Sequence, residues 1–145
     1  MKRHNFYGAD AAKALPIDPQ FRKIGDPCRL YDILSDLWCA ETCAPRMRED
    51  WSKENKTLGQ CSITAFLVQD IYGGEVYGVP LDDGAFHCFN VVGEAEFDLT
   101  SEQFGDKKLT YARDYPQSRL IHFAKAEKKM RYEALKAALL EAIGK

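Results

Sequence analysis

Hydrophobic positions along this chain recur first at helical spacing and then in alternation. Leu30, Ile33, Leu34, Leu37 and Trp38 share one helical face, and Asp26-Pro27 ahead of them offers an N-cap followed by proline in the first turn. This predicts a core helix ending before Pro45. Ile63, Phe66, Leu67 and Ile71 form a second stripe over residues 61–72, which Gly73-Gly74 terminates. Residues 75–79 then have the pattern of a short strand and 80–84 that of a turn. Segments 85–92 and 95–99 flank Gly93-Glu94, the signature of a hairpin with a two-residue loop. Thr100 and Gln103 have capping-box spacing, predicting one helical turn before Gly105. Residues 120–123 fit a further strand. Phe123, Ala126, Met130, Leu135 and Leu139 mark the apolar side of a C-terminal helix.

Two stretches lack such periodicity. Residues 46–58 are polar and predict a loop, and residues 1–25, with Pro16 and Pro19, predict an arm or irregular wrap. The expected class is α+β: an N-terminal arm over 1–25 and a single domain over 26–145. In that domain a helix starting at Cys61 packs on a small antiparallel sheet, with helices before and after it. A length of 145 residues and 46% hydrophobic content suit one core of ordinary size. No internal repeat or low-complexity segment interrupts it.

Charge narrows the partners. Twenty basic and 22 acidic residues give a net charge of −2, with both signs scattered and no basic stripe interleaved with aromatics, so nucleic acid is not an expected partner. The basic N-terminus leads into no apolar stretch, and no run is long enough to span a bilayer, so the expected setting is the cytoplasm, away from membranes. Five cysteines in a reducing compartment are expected to be thiols.

Cys61 stands out among them. At the first turn of a helix, a thiol meets the positive end of the helix dipole and unpaired backbone N–H groups, which favour the thiolate and can also hold an oxyanion. A two-residue loop at Gly93-Glu94 pairs Val92 with Ala95 and sets Asp98 opposite Phe89, which shares a face with His87. His87 and Asp98 become diagonal neighbours, close enough for an imidazole–carboxylate bond. Cysteine, base and orienting carboxylate are the parts of acyl transfer through a thioester. Asn55 and Gln60 are both amides able to add an oxyanion donor, and spacing does not choose between them.

Plainer readings stand beside this one. Cys61 can be a small buried hydrophobe, His87 a satisfied core histidine and Asp98 a cap for the turn at Leu99-Thr100. Cys39 and Cys43, four apart, can chelate zinc with Cys61 and either His87 or Cys88, although His87 and Cys88 point to opposite faces of a strand. Arg46, Arg48, Lys53 and Lys56 make the loop before Cys61 basic, which suits an anionic substrate or simple solvation. Cys28, His4 and His122 have no evident partner and are expected to be structural or surface residues.

Gly59-Gln60-Cys61-Ser62-Ile63-Thr64-Ala65, Val68-Gln69-Asp70 with Gly73-Gly74, His87 with Asn90, Asp98-Leu99-Thr100 and Gln103-Phe104 resemble the small bacterial YunG-like proteins. The resemblance covers roughly residues 28 to 135 and implies no assigned reaction. More distantly, a helix-starting cysteine followed by histidine and aspartate on strands resembles the papain-like and transglutaminase-like cysteine enzymes. That resemblance implies thiol-based hydrolysis or acyl transfer on a helix packed against an antiparallel sheet, with Asn55 standing near where those enzymes carry a glutamine. The expectation is therefore a hydrolase or acyltransferase acting on an amide, ester or thioester of a peptide or small molecule, without cofactor or metal. Its alternatives are a catalytically silent binding module and a zinc-stabilised interaction domain. Oligomeric state stays open.

Overall fold

A computed structural model describes residues 4–144. Asp26 caps α1 (Pro27–Ser35) by accepting the Arg29 N–H at 3.0 Å, and Leu30 and Leu34 enter the core. This helix is shorter than its hydrophobic stripe. Ser35 Oγ bonds back to the Tyr31 carbonyl and the chain turns, so that Trp38 extends its indole N–H to Thr64 Oγ1 at 3.0 Å. Short 3₁₀ segments at Ala40–Thr42 and Pro45–Asp50 follow.

Helix α2 (Cys61–Tyr72) is the centre of the molecule, with residues 62–68, 71 and 72 all buried. Beside it, β1 (Glu75–Pro80), β2 (Phe86–Val92) and β3 (Ala95–Phe97) form an antiparallel sheet in that order. Gly93, at φ 60°, closes the two-residue loop, and Val92 faces Ala95 while Asn90 faces Phe97. Tyr7 extends the outer edge: its carbonyl accepts the Asp98 N–H at 3.0 Å. The sheet has two apolar faces. Val76, Cys88 and Phe97 join the main core with α2, where Asn90 Nδ2 also donates to the Ala65 carbonyl at 2.9 Å. Val79, Phe89 and Val91 form a smaller cluster closed by Tyr77, Leu109 and Tyr111.

Residues 120–123, expected as a strand, lie instead in α3 (Arg119–Phe123), capped by Ser118 Oγ accepting from the Ile121 N–H at 3.3 Å. The sheet edge they would have joined is already taken. Gly78 N–H donates to the Tyr115 carbonyl at 2.8 Å and Gln117 N–H to the Val76 carbonyl at 2.9 Å. The C-terminal helix α4 (Ala126–Ile143) accordingly starts after Phe123 and buries Tyr132, Leu135 and Leu139. The short turn Ser101–Phe104 forms, but not the capping box. Thr100 Oγ1 serves Asp98, and Gln103 Nε2 donates to the carbonyls of Thr100 and Thr57 at 2.9 and 3.1 Å.

Ahead of α1 the described residues form 3₁₀ turns at Ala9–Ala11 and Pro19–Ile24, and Phe6, Phe21 and Ile24 lie in the main core. The expected arm thus contributes to the core as well as wrapping it. The result is a mixed α+β fold with one small antiparallel sheet. Among the described residues, no helix is long and apolar enough to cross a membrane.

Candidate active site

Cys61 is the first residue of α2 and is partly exposed. The first bond closing the helix is Thr64 N–H to the Gln60 carbonyl at 3.1 Å, so the N–H groups of Cys61, Ser62 and Ile63 precede any intrahelical acceptor. His87 on β2 and Asp98 just beyond β3 are both 1% exposed. His87 Nε2 lies 2.6 Å from Asp98 Oδ2, and the Phe104 ring stands edge-on to the imidazole with centroids 4.7 Å apart. With Nε2 engaged, Nδ1 is the ring nitrogen left for Cys61.

Asp98 divides its work between its oxygens. Oδ1 accepts from Thr100 N–H at 3.0 Å and Thr100 Oγ1 at 3.2 Å, which is the turn-capping role. Oδ2 takes His87 and the Tyr111 hydroxyl, the latter at 2.8 Å. The structural and the orienting readings of Asp98 therefore coexist in one side chain.

Charge on the thiol follows from its neighbours. A hydrogen bond with the Cys88 thiol, opposed by burial and reinforced by the charge and hydrogen bonding of His87 and by the Cys88 N–H, holds Cys61 well below the ordinary thiol range. Burial alone would lower His87, but the Asp98 carboxylate and then Cys61 outweigh it and raise the imidazole to about 10. The Cys61 bond and burial push Cys88 well above its usual value, so of the two thiols Cys88 keeps its proton. Both shifts act in the direction of a thiolate–imidazolium pair. Burial, then the Asp98 charge, push Tyr111 up as well, so it donates as a neutral phenol.

His87 and Cys88 alternate along β2, yet Cys61, at the helix tip, meets both. The sequence offered Cys88 beside Cys61 only as a zinc ligand in place of His87. Tyr111, from a segment without periodicity, left no sequence signal at all.

The two amides separate. Gln60 is fully buried; its Nε2 donates to the Cys39 carbonyl at 3.0 Å and its Oε1 has no partner. Asn55 lies in a turn closed through its backbone, with its N–H on the Ser52 carbonyl at 3.1 Å and its carbonyl accepting from Leu58 at 3.2 Å. No hydrogen bond in the structure joins its side chain to Cys61, His87 or Asp98 among the described residues.

The proposed metal set does not assemble. Among the described residues no three His, Cys, Asp or Glu side chains are grouped to hold an ion, and Cys39 and Cys43 turn to Thr42 Oγ1 and the Ala44 carbonyl. His4 has a partner in Asp32 at 3.0 Å, and His122 has one in Gln117 at 2.8 Å. A cavity of about 530 Å³ reaches this region through Tyr7 and Tyr111, but Cys61 and His87 do not line it.

Comparison with known proteins places this arrangement in a family. YunG of Bacillus subtilis (strain 168) is 37% identical over 72 residues, a stretch covering 50% of this chain and 57% of that protein. The chain thus matches little more than half of its relative's length. No solved structure matches it. Residues 26–144 match the family described as YunG protein. That match runs from the cap of α1 to the end of α4 and takes in Cys61, His87 and Asp98: the chain belongs to the YunG family.

Proposed function

We propose that this protein is a thiol-dependent hydrolase or acyltransferase of papain-like type, acting on an amide, ester or thioester. The observation that carries the reading is the 2.6 Å bond from His87 Nε2 to Asp98 Oδ2 in a ring that also faces the Cys61 thiol. A structural histidine needs one satisfied nitrogen; here the second is turned to a thiol at a helix N-terminus.

The Cys61 thiolate attacks the carbonyl carbon, and the oxygen takes up charge beside the N–H groups at the start of α2. The first amide donor is the Cys61 N–H itself. Gln60 contributes through whichever amide hydrogen Cys39 does not hold, and Asn55 requires a turn of its loop to contribute. Imidazolium His87 then gives its proton to the leaving amine, alcohol or thiol, leaving a Cys61 thioester. Water or a second acceptor, giving its proton to His87, attacks that thioester and releases the thiolate. Asp98 holds the ring in place and stabilises its charged form. No cofactor or metal enters this sequence of steps. Its partner is a peptide or small-molecule substrate, with a peptide or amide bond first, and it fits a cytoplasmic setting where thiols stay reduced.

The test is acylation by an activated aryl ester, read by intact and peptide mass spectrometry. A single acyl adduct on Cys61, absent from Cys61→Ala and slowed at least tenfold in His87→Ala, supports the reading; tenfold corresponds to about 1.4 kcal/mol of barrier. Absence of an adduct, or equal rates with and without His87, overturns it and leaves a binding module.

A further inference from the structure

The basic loop ahead of Cys61 is mostly committed elsewhere. Arg48 donates to the carbonyls of Ala40, Glu41 and Cys43, Arg46 pairs with Asp83, and Lys56 stands over the Tyr31 ring. Another cation is left without a counterion. Lys128, in the first turn of α4, is partly buried, and no carboxylate pairs with it among the described residues. Glu127, its neighbour in sequence, is engaged with Arg131.

Lys128 Nζ instead lies 2.9 Å from His122 Nδ1, and His122 Nε2 lies 2.8 Å from Gln117 Oε1. An amide oxygen only accepts, so Nε2 carries the proton and Nδ1 is the bare acceptor toward the ammonium. Burial and the Lys128 charge lower His122 to about 4, so its ring is neutral at physiological pH and offers no countercharge.

This row of side chains runs to the strand pair that carries Cys88. A Cβ on Gly78 would come within 2.6 Å of Gln117 Nε2, so the amide lies directly against that glycine. Gly78 is the β1 partner of Cys88, the residue that bonds Cys61. The His122 ring also packs on Phe66 of α2, with centroids 5.1 Å apart. Burial pulls the Lys128 ammonium down, while Cys88 and Cys61 favour its charged form.

A partly desolvated ammonium bonded to a neutral imidazole loses the charge of Cys61 once that thiolate is acylated, and a carboxylate on the acyl group recovers the cost. We propose that Lys128 selects acyl donors bearing a carboxylate, which it holds beside the carbonyl that Cys61 attacks. The proposal rests on Cys61 being the nucleophile. A single ammonium matches a singly charged carboxylate, whereas a phosphate dianion calls for a second cation or a guanidinium fork.

The full chain is alkylated in parallel with iodoacetate and iodoacetamide, and modification of Cys61 is followed by peptide mass spectrometry. These reagents share the reacting carbon and differ in the carboxylate, so their rate ratio is insensitive to ionisation of the thiol itself. The iodoacetate/iodoacetamide ratio at Cys61 is expected to fall about tenfold in Lys128→Met and to persist in Lys128→Arg. An equal ratio in the parent protein and Lys128→Met overturns the proposal. Should Lys128→Met fail to fold, protection of the parent protein decides: acetate slows iodoacetamide at Cys61 where acetamide does not, and equal effects overturn it. A Cys61 no faster than Cys28 toward iodoacetamide defeats the nucleophile reading instead. A fast Cys61 without charge preference defeats only the role of Lys128.

Discussion

Tyr111 donates its hydroxyl to the same Asp98 oxygen that holds His87, at 2.8 Å against 2.6 Å for the imidazole. The phenol also stacks on Tyr7, with ring centroids 3.7 Å apart. Tyr7 in turn pairs its backbone with Asp98. The N-terminal segment therefore helps fix the carboxylate that orients the base. Tyr111→Phe keeps the stacking and removes one hydrogen bond to a charged acceptor. It should cost roughly 1–3 kcal/mol of stability in urea unfolding, with Cys61 still alkylated as a reactive thiol. A loss of Cys61 reactivity with no loss of stability would show that the phenol acts on the chemistry instead.

The thiolate–imidazolium pair sets a pH signature. The folded pKa of His87, raised to about 10, lies above its unfolded value near 6.5, so its contribution to stability is complete below about 6.5 and lost as pH rises through about 10. Cys61 runs the other way. Its lowered folded pKa gives a contribution present above the unfolded value near 8.5 and lost as pH falls through the folded one. Wherever Cys61 is ionised in the folded protein but not in the unfolded chain, its slope opposes that of His87; above about 8.5 the His87 decline is left unopposed, so stability should fall from there through about 10. The buried Cys88 thiol adds a decline above about 8.5 in the same direction as His87. The diagnostic is therefore the part of the alkaline slope that His87→Ala removes, measured by urea unfolding across pH. An unchanged slope would mean that His87 is not protonated in the folded protein.

Asp98→Asn separates the two oxygens. The amide oxygen can keep Thr100, so the turn after β3 should form, but the negative charge that raises His87 is gone. Without an imidazolium beside it, Cys61 should titrate closer to an ordinary thiol. Its alkylation at pH 7 should slow about tenfold while the far-ultraviolet spectrum is kept. Asp98→Ala loses both functions and should destabilise by about 3 kcal/mol or more, because the buried donors of His87, Thr100 and Tyr111 are then left without an acceptor. Equal alkylation rates in Asp98→Asn and the parent would remove Asp98 from the orienting role.

Much of this arrangement was legible from spacing. The stripe after Gly59-Gln60 placed Cys61 at a helix start, and the two-residue loop fixed the register that brings His87 to Asp98. Both are local features, set by residues within a dozen positions of one another. Residues 120–123 were misread because Leu-Ile-His-Phe suits either strand or helix. Its state was decided by residues 115–117 occupying the sheet edge. Tyr111 escaped for a related reason. It reaches Asp98 by packing between distant segments, which no periodicity records. Asn55 and Gln60 show the limit from the other side: Asn55 stands slightly ahead as a sequence candidate, yet in the structure only Gln60 is buried against the start of α2.

Gly74 joins α2 to β1 and carries the last prediction. Its φ is 81°, and a Cβ there would stand 2.2 Å from the Val91 carbonyl oxygen on β2. An alanine would be strained by its backbone and would also push on the middle strand, four residues before Gly78, which pairs with Cys88 on that strand. Gly74→Ala should therefore destabilise by more than about 1 kcal/mol in urea unfolding. Because β2 carries His87, the variant that remains folded should also show slower Cys61 alkylation at neutral pH. Lost stability with unchanged reactivity would mean that the strand yields at its far end and that the His87 end is held independently, by Asp98 and Phe104.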